Sequence, residues 1–327
     1  MKKTDTKIDF VVTWVDGNDP VWQADKAKYS DAGADSGASR YRDWDQLKYW
    51  FRSIEQNAPW VNKIHFVTYG HLPEWLDTSN PKLNIVNHKD FIPEEFLPVF
   101  NSTAIEVHLH RIKGLSEQFV YFNDDTYLMK PCKETDFFVK GLPVDEAIFD
   151  PPLPHENSCY CHHLYNDYSV YTQYLSSKTF LKNIFKYINF KFGAHNLIQI
   201  LARNKYIRPL HHAKSFLKSS FETIWKNNER YMLRTARSRF RKELNNSPQV
   251  FRGYQIITGK FYPKHKRKYA LVMDSRNAEA AARAIDAKKY KYLCLSDNTA
   301  EEDFISAKKI INASFERIFP QKSSFEK

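Results

Sequence analysis

Two acidic turns mark where this sequence could do chemistry. Asp16-Gly17-Asn18-Asp19 follows the apolar run from Ile8 to Val15, and Asn123-Asp124-Asp125 follows Phe119-Val120-Tyr121-Phe122. Side chains alternate faces along a strand, so neighbouring carboxylates converge on one site only where the strand has ended. The turn-forming composition of both segments says that it has. A pair such as Asp124 and Asp125 suits a hard cation, Mg²⁺ or Mn²⁺, whose shell is completed by phosphate oxygens. It equally suits general-base work. Asp residues that merely cap a turn look the same, and this plainer reading stands beside the chemical one for Asp16 as for the Asn123 turn.

Three further clusters imitate sites. Asp43-Trp44-Asp45 spells a metal-binding Asp-x-Asp pattern, but it sits at a predicted helix start, where capping and the helix dipole explain Asp without a metal. Cys159, Cys161, His162 and His163 resemble a zinc set. Structural zinc patterns space their pairs more widely and draw a second pair from elsewhere, so these thiols read as incidental. His211-His212 and Arg252 lie in a basic stretch beside Lys214 and Lys218. A lone His is usually structural. In this company it could also bind and protonate phosphate.

These residues need elements to hold them. Ile8–Val15, Lys63–Thr68, Asn84–Val86 and Phe119–Phe122 read as strands. Asp43 is expected to cap a helix to about Gln56, with Leu47, Trp50, Phe51 and Ile54 at helical spacing. Ser102 is expected to cap a helix over Ala104–Ile112. Residues 24–40 are polar and small and read as a surface loop, and 155–163 as another. Strand and helix alternate, which argues for a mostly parallel sheet covered by helices. Basic amphipathic helices are expected between 165 and 245. Residues 268–273, 276–288 and 290–295 read as a second strand–helix–strand unit, followed by a helix over 302–318. We therefore expect a single catalytic unit, with an α/β core from 1–154 and 268–327 and a basic helical insertion from 155–267.

The chain has 327 residues, of which 42% are hydrophobic and 15% aromatic, which fits a folded protein and excludes a disordered one. Nine Gly and no GxGxxG or GxxxxGK[ST] motif exclude a glycine-rich phosphate loop. No apolar run approaches the roughly 20 residues that span a bilayer. The N-terminus lacks the pattern of a signal peptide, and four Cys are too few for a disulfide scaffold, so the expected location is the cytoplasm. The net charge is +11, yet residues 177–268 hold 22 Lys or Arg against three Glu. That concentration points to an anionic partner: nucleic acid, a membrane surface or phosphorylated substrates.

In four blocks the chain resembles the Stealth family, bacterial capsular polysaccharide phosphotransferases related to a eukaryotic N-acetylglucosamine-1-phosphotransferase. The first block is Ile8-Asp9-Phe10-Val11-Val12-Thr13-Trp14-Val15-Asp16-Gly17-Asn18-Asp19-Pro20. The second runs through Arg42-Asp43, Leu47-Lys48-Tyr49, Arg52-Ser53, Ala58-Pro59-Trp60-Val61, Leu97-Pro98, Phe100-Asn101-Ser102 and Ile105-Glu106 to Tyr121-Phe122-Asn123-Asp124-Asp125. The third spans His212, Lys218-Ser219-Ser220-Phe221-Glu222 and Phe251-Arg252. The fourth joins Cys294-Leu295-Ser296-Asp297-Asn298 to Phe319-Pro320 and Ser323-Ser324-Phe325-Glu326. Lys214 stands where Pro is common and Ser296 where Asn is usual, which leaves the catalytic histidine open between His211 and His212.

The resemblance implies a nucleotide-sugar-binding, Rossmann-like core similar to glycosyltransferase type A. It implies transfer of a hexose- or N-acetylhexosamine-1-phosphate from a UDP-sugar to a hydroxyl of an oligosaccharide or polysaccharide, with release of UMP. The implied catalytic groups are Asp124 or Asp125, His212 and Arg252, with Asp124 and Asp125 also holding Mg²⁺ or Mn²⁺. Asp16, Arg42, Asn101, Asn123 and Lys218 are the implied substrate contacts. Arg252 would grip phosphate oxygens through its planar fork. His212 would act as base for the acceptor or acid for the leaving UMP. One rival is a conventional glycosyltransferase, which would release UDP. Another is a nucleic-acid-binding protein, but the basic stretch holds no recognisable motif for that, and no nucleic-acid partner is expected. The stretch could instead dock the protein on the anionic inner face of the plasma membrane.

Overall fold

The computed structural model describes residues 7–30, 41–150, 159–188, 194–201, 205–264 and 270–327. The stretch 31–40, the start of the expected loop at 155–163, and residues 268 and 269 lie outside them. The chain opens with β1 (Ile8–Thr13), α1 (Pro20–Tyr29), α2 (Leu47–Asn57), β2 (Ile64–Thr68), β3 (Leu83–Asn87) and α3 (Ser102–Glu106). There follow β4 (Gln118–Asn123), β5 (Thr126–Leu128), β6 (Phe138–Val139), β7 (Leu142–Asp145) and four helices, α4 (Cys159–Tyr171), α5 (Ser177–Lys182), α6 (Ile184–Tyr187) and α7 (Ala194–Leu201). The rest comprises β8 (Lys214–Leu217), α8 (Lys218–Asn227), α9 (Glu229–Ala236), α10 (Gln249–Ile257), β9 (Tyr262–Pro263), β10 (Ala270–Asp274), α11 (Ala278–Ala287), β11 (Tyr292–Ser296) and α12 (Phe304–Ile318).

The main sheet has the order β3-β2-β1-β4-β8. Its first four strands are parallel, and β8 runs antiparallel to β4. The order reverses at β1: the chain moves outward to β2 and β3, then returns to the other side of β1 for β4. This is the Rossmann-like arrangement. Both faces of the sheet are covered, which is why β1 reads as one apolar run. Phe10, Val12, Phe66 and Phe122 face α2 (Trp50, Phe51, Ile54) and α12 (Ile311, Phe315). Val11, Val67, Phe119, Tyr121 and Phe216 face α8 (Phe221, Ile224, Trp225) and α10 (Val250, Phe251). Full burial of each large apolar side chain contributes about 1.5–3 kcal/mol.

Residues 155–267 are more than basic helices. They include β8, the edge strand of the main sheet, and helices of its second core. Residues 270–296 build a separate sheet, β10-β11-β5, in which β11 runs antiparallel to β5 directly after the Asp124 turn.

Local chemistry moved several element boundaries. Asp43 does not cap α2. Its carboxylate accepts from Asp45 N at 2.8 Å, and Asp45 takes a left-handed φ of 54°, so the helix starts only at Leu47. Asn101 caps α3 in place of Ser102, accepting from Thr103 N, and the helix is short. The expected loop from 24 hides α1: Asp19 accepts from Trp22 N at 2.7 Å and Pro20 opens the first turn, a start signal present in the sequence.

Helices α4 and α10 meet closely at Gly253. A Cβ there would lie 2.2 Å from the ring of buried Tyr171. Gly253→Ala should therefore lose about 1–3 kcal/mol through overpacking. A urea unfolding curve with an unchanged midpoint would show that the two helices can separate at no cost.

Candidate active site

The ends of β1 and β4 lie level, with Thr13 opposite Asn123 in register. Because strand order reverses here, a crevice opens between the two chains as they leave the sheet. It holds a cavity of about 550 Å³. Trp14 and Val15 line it from β1, and Asn123, Asp124 and Asp125 from β4. Arg42, Asp43 and Trp44 close one side, Glu106 and Arg241 another, and Ser296, Asp297 and Asn298 come from the end of β11. A second cavity of about 150 Å³ shares Thr13, Trp14, Ser102, Asp124 and Arg241 with it. Its wall is aromatic: Trp22 packs on Tyr41 at 4.9 Å and on Phe100 at 5.8 Å.

The electrostatics of the crevice are strained toward positive ligands. Burial, then Asp125, then Asp43 push the Asp124 carboxyl up to about 7. Its side chain nevertheless faces the open cleft. Burial also raises Asp125, against the opposing pull of Thr126 Oγ1, which donates at 3.0 Å, the Cys294 thiol and Lys214. Glu106 is buried and raised, and Tyr121 Oη donates to it at 2.7 Å. Lys214 sits opposite Tyr121 on β8, within electrostatic reach of Glu106, Asp125 and Arg252. Burial lowers its ammonium pKa.

The residues expected from sequence separate into three groups. Asn123, Asp124, Asp125 and Arg42 line the cavity. Arg42 also ties the segment after β11 to the site: its Nη2 and Nε donate to Asp297 at 2.9 and 3.2 Å, and its Nη1 to Glu301 at 3.0 Å. His212 and Arg252 belong to a neighbouring layer. His212 stacks on Tyr292 with ring centroids 5.5 Å apart, and its Nδ1 contacts Ala213 O at 2.6 Å. That contact leaves the lone pair on Nε2. Burial holds its imidazole well below the usual range, so it is neutral. His211, the alternative, is exposed beside Tyr160.

Arg252 is not presented to the cavity. Its fork is bidentate to Asp145, with Nε and Nη2 each at 2.8 Å, and its Nη1 donates to Arg208 O at 2.8 Å. The fork expected to grip phosphate is held in the fold by a buried carboxylate. Asp16, Asn101 and Lys218 do not line the larger cavity. Asp16 accepts from Asn18 N in its own turn. Asn101 borders the smaller cavity, but its amide donates to Ser238 O and Asn245 Oδ1. Lys218 follows Leu217, which pairs with Gln118 at the far end of β4, roughly 17 Å of strand from Asn123.

Cys159, Cys161, His162 and His163 open α4, where His163 contacts Lys242 O at 2.8 Å. No group of three or more His, Cys, Asp or Glu among the described residues is placed to hold a metal by itself. The crevice does offer hard carboxylate oxygens, and these fit Mg²⁺ or Mn²⁺ when phosphate oxygens supply the remaining ligands.

Residues 6–34 match the family model Stealth protein CR1, conserved region 1, and residues 40–144 match Stealth protein CR2, conserved region 2. The chain is 40% identical over 330 residues to the capsular polysaccharide phosphotransferase WcwK of Streptococcus pneumoniae, covering 98% of this chain and 99% of that one. The chain belongs to the Stealth family. It is also 36% identical to the receptor polysaccharide phosphotransferase WefC of Streptococcus oralis, over 98% of this chain and 99% of that one. Among solved structures it is similar to the galactosyltransferase LgtC, with a TM-score of 0.41 and 11% identity over 97% of this chain and 96% of that one. No helix among the described residues is long and apolar enough to cross a membrane.

In this Stealth protein Asp43, Glu106, Arg241 and the Ser296–Asn298 segment line the cavity without a site role expected from sequence. Asp43, read as a cap, faces the cavity and raises Asp124. Its Asp-x-Asp spacing was the available signal. Glu106 stood in the second family block with no role. Arg241, one of a run of cations in the sequence, lines both cavities. Nothing in its local sequence separates it from its neighbours.

Proposed function

We propose that the chain transfers a sugar-1-phosphate from a UDP-sugar to a hydroxyl of a capsular or cell-surface polysaccharide, forming a phosphodiester and releasing UMP. The observation that carries this is the Asp124–Asp125 turn at the β1–β4 crevice, open to a cavity whose walls also hold Arg42 and Arg241. The aromatic side cavity of Trp22, Tyr41 and Phe100 has the character to take a nucleobase, with the diphosphate then lying past Arg241.

In the reaction the acceptor oxygen bonds to the donor's β-phosphorus. The bond from that phosphorus to the bridging oxygen breaks, and UMP leaves with the electron pair. The sugar–oxygen bond is untouched, so anomeric configuration is retained. Mg²⁺ or Mn²⁺ at Asp124 and Asp125 would neutralise diphosphate charge. Arg42 and Arg241 on the cavity wall add fixed positive charge around the transferring group, and Lys214 acts on Asp125 from β8. On the strength of the family resemblance we assign the acceptor proton to His212, whose lone pair is on Nε2 and whose ring stands in the layer beside the cavity.

The deciding experiment incubates the protein with UDP-sugars, Mg²⁺ and capsule oligosaccharides and follows phosphorus by NMR. A phosphodiester and equimolar UMP are expected. UDP, or a product without phosphorus, would overturn the reading in favour of an ordinary glycosyltransferase. His212→Ala should lose roughly 10²–10⁴-fold in kcat with donor KM little changed. A normal rate in that variant would remove His212 from proton transfer.

A further inference from the structure

Arg230, Arg234, Arg237 and Arg241 recur at intervals of four, three and four. On a helix such spacing gathers side chains on one side. Helix α9 carries the first two, and Arg237 is its C-terminal cap residue. With Lys242 these arginines line an open groove of about 1130 Å³. Glu243 is the single acidic residue among those described in its lining. Like charges at this spacing repel one another and destabilise the helix unless an anion answers them.

Among the described residues, six arginines elsewhere are held by carboxylates, namely Arg42, Arg52, Arg208, Arg252, Arg276 and Arg317, although Arg111, Arg239 and Arg283 have none within 4 Å. Among the described residues, none of the five groove cations has a carboxylate within 4 Å. Arg234 is half-buried over Tyr231, and its Nε and Nη2 are shut off from solvent without a hydrogen-bond partner. The groove also shares a wall residue with the active site. Arg241 lines the groove and both active-site cavities, with its Nη2 donating to Ser102 Oγ at 2.8 Å.

We infer that this groove binds phosphate groups carried by the acceptor saccharide and leads its hydroxyl past Arg241 to Asp124. The assignment rests on the phosphotransferase reading above. Guanidinium forks match phosphate oxygens. From Arg230 to Arg237 the helix rises about 10 Å, too far for one phosphate but suited to an acceptor with charges at intervals. The phosphate can be a phosphodiester from an earlier transfer or a diphosphate at the reducing end. A concave groove sharing a wall residue with the active site favours a threaded chain over a flat membrane surface.

The test has a binding arm and a kinetic arm, both on the full chain. Fluorescence anisotropy without donor would compare an oligomer of poly(glycerol phosphate) with a dextran oligomer of equal length, and phosphatidylglycerol vesicles would compete. The phosphate oligomer should bind and dextran should not. Arg234→Gln should weaken binding about tenfold or more, as should Arg230→Gln with Arg237→Gln, since each removes charge-assisted contacts. Arg230 and Arg237 are exposed, so that pair tests the groove even if Arg234→Gln unfolds. In the kinetic arm the variants should raise KM for a phosphodiester-bearing or a diphosphate-bearing acceptor. Neutral-acceptor KM, donor KM and kcat should hold, and the two charged acceptors separate the sources of phosphate. Equal binding of dextran, unchanged binding by the variants, or binding confined to vesicles would overturn the assignment. Because the binding arm needs no turnover, its outcome is independent of whether UMP is released.

Discussion

Asp124→Asn should reduce transfer by roughly 10²–10³-fold while leaving the protein at least as stable as before. The side chain faces the open cleft, and Asn preserves its size, so packing is unaffected. What disappears is a negative charge crowded by Asp125 and Asp43. Removing it relieves repulsion in the free protein but deprives the diphosphate site of a charge-matching group, a loss of the scale seen when one electrostatic stabiliser is deleted. A thermal melt beside a rate assay separates the two effects. Near-normal turnover would remove Asp124 from the chemistry.

The pH dependence has a definite sign. A carboxyl raised to about 7 is increasingly protonated below that pH and must lose its proton to bind a cation. Apparent Mn²⁺ affinity in the presence of UDP-sugar, whose phosphates complete the shell, should therefore fall by up to about tenfold for each pH unit below 7. Asp43→Asn removes one of the charges holding Asp124 up, so the fall should move to lower pH. If Mn²⁺ binding instead weakens equally at every pH, Asp43 is itself a ligand.

The second large effect is on stability. Arg252→Leu should cost about 3–5 kcal/mol, because it leaves Asp145 buried without its partner. Asp145→Leu should cost a similar amount. The double variant should cost much less than the sum, since two apolar side chains can replace a buried ion pair at small penalty. Urea unfolding of the four proteins measures the coupling. Additive losses would mean that the pair does not act as a unit. An activity loss at Arg252 must accordingly be expressed per folded molecule before any catalytic meaning is attached to it. His212 feels both Asp145 and Arg252, so disturbing the pair also disturbs the imidazole.

The sequence alone was enough for the parallel strands and the acidic turn. Short β-branched runs ending in Asp, Asn and Gly signal a strand that stops where its carboxylates are needed, and that signal is local. Asn123, Asp124 and Asp125 were legible for this reason. The family blocks pointed to the same turn. Arg252 and Lys218 show what local signals miss. Each lies near other cations in the chain, but a guanidinium takes whichever carboxylate the fold brings to it, and here Asp145 arrives from 107 residues away. Lys218 fell at the wrong end of β4 because β8 runs antiparallel, a direction that no residue type encodes. Asp43 looked like a cap because a helix followed; the left-handed turn at Asp45 redirected it into the crevice. Arg241 became a cavity wall only when Asn101 tied the basic segment to the sheet through Ser238 and Asn245. Composition and spacing determined which chemical groups this protein has and where its strands end. Long-range pairing decided which of those groups share a site, because that depends on register and strand direction, set by the packing of two cores at once.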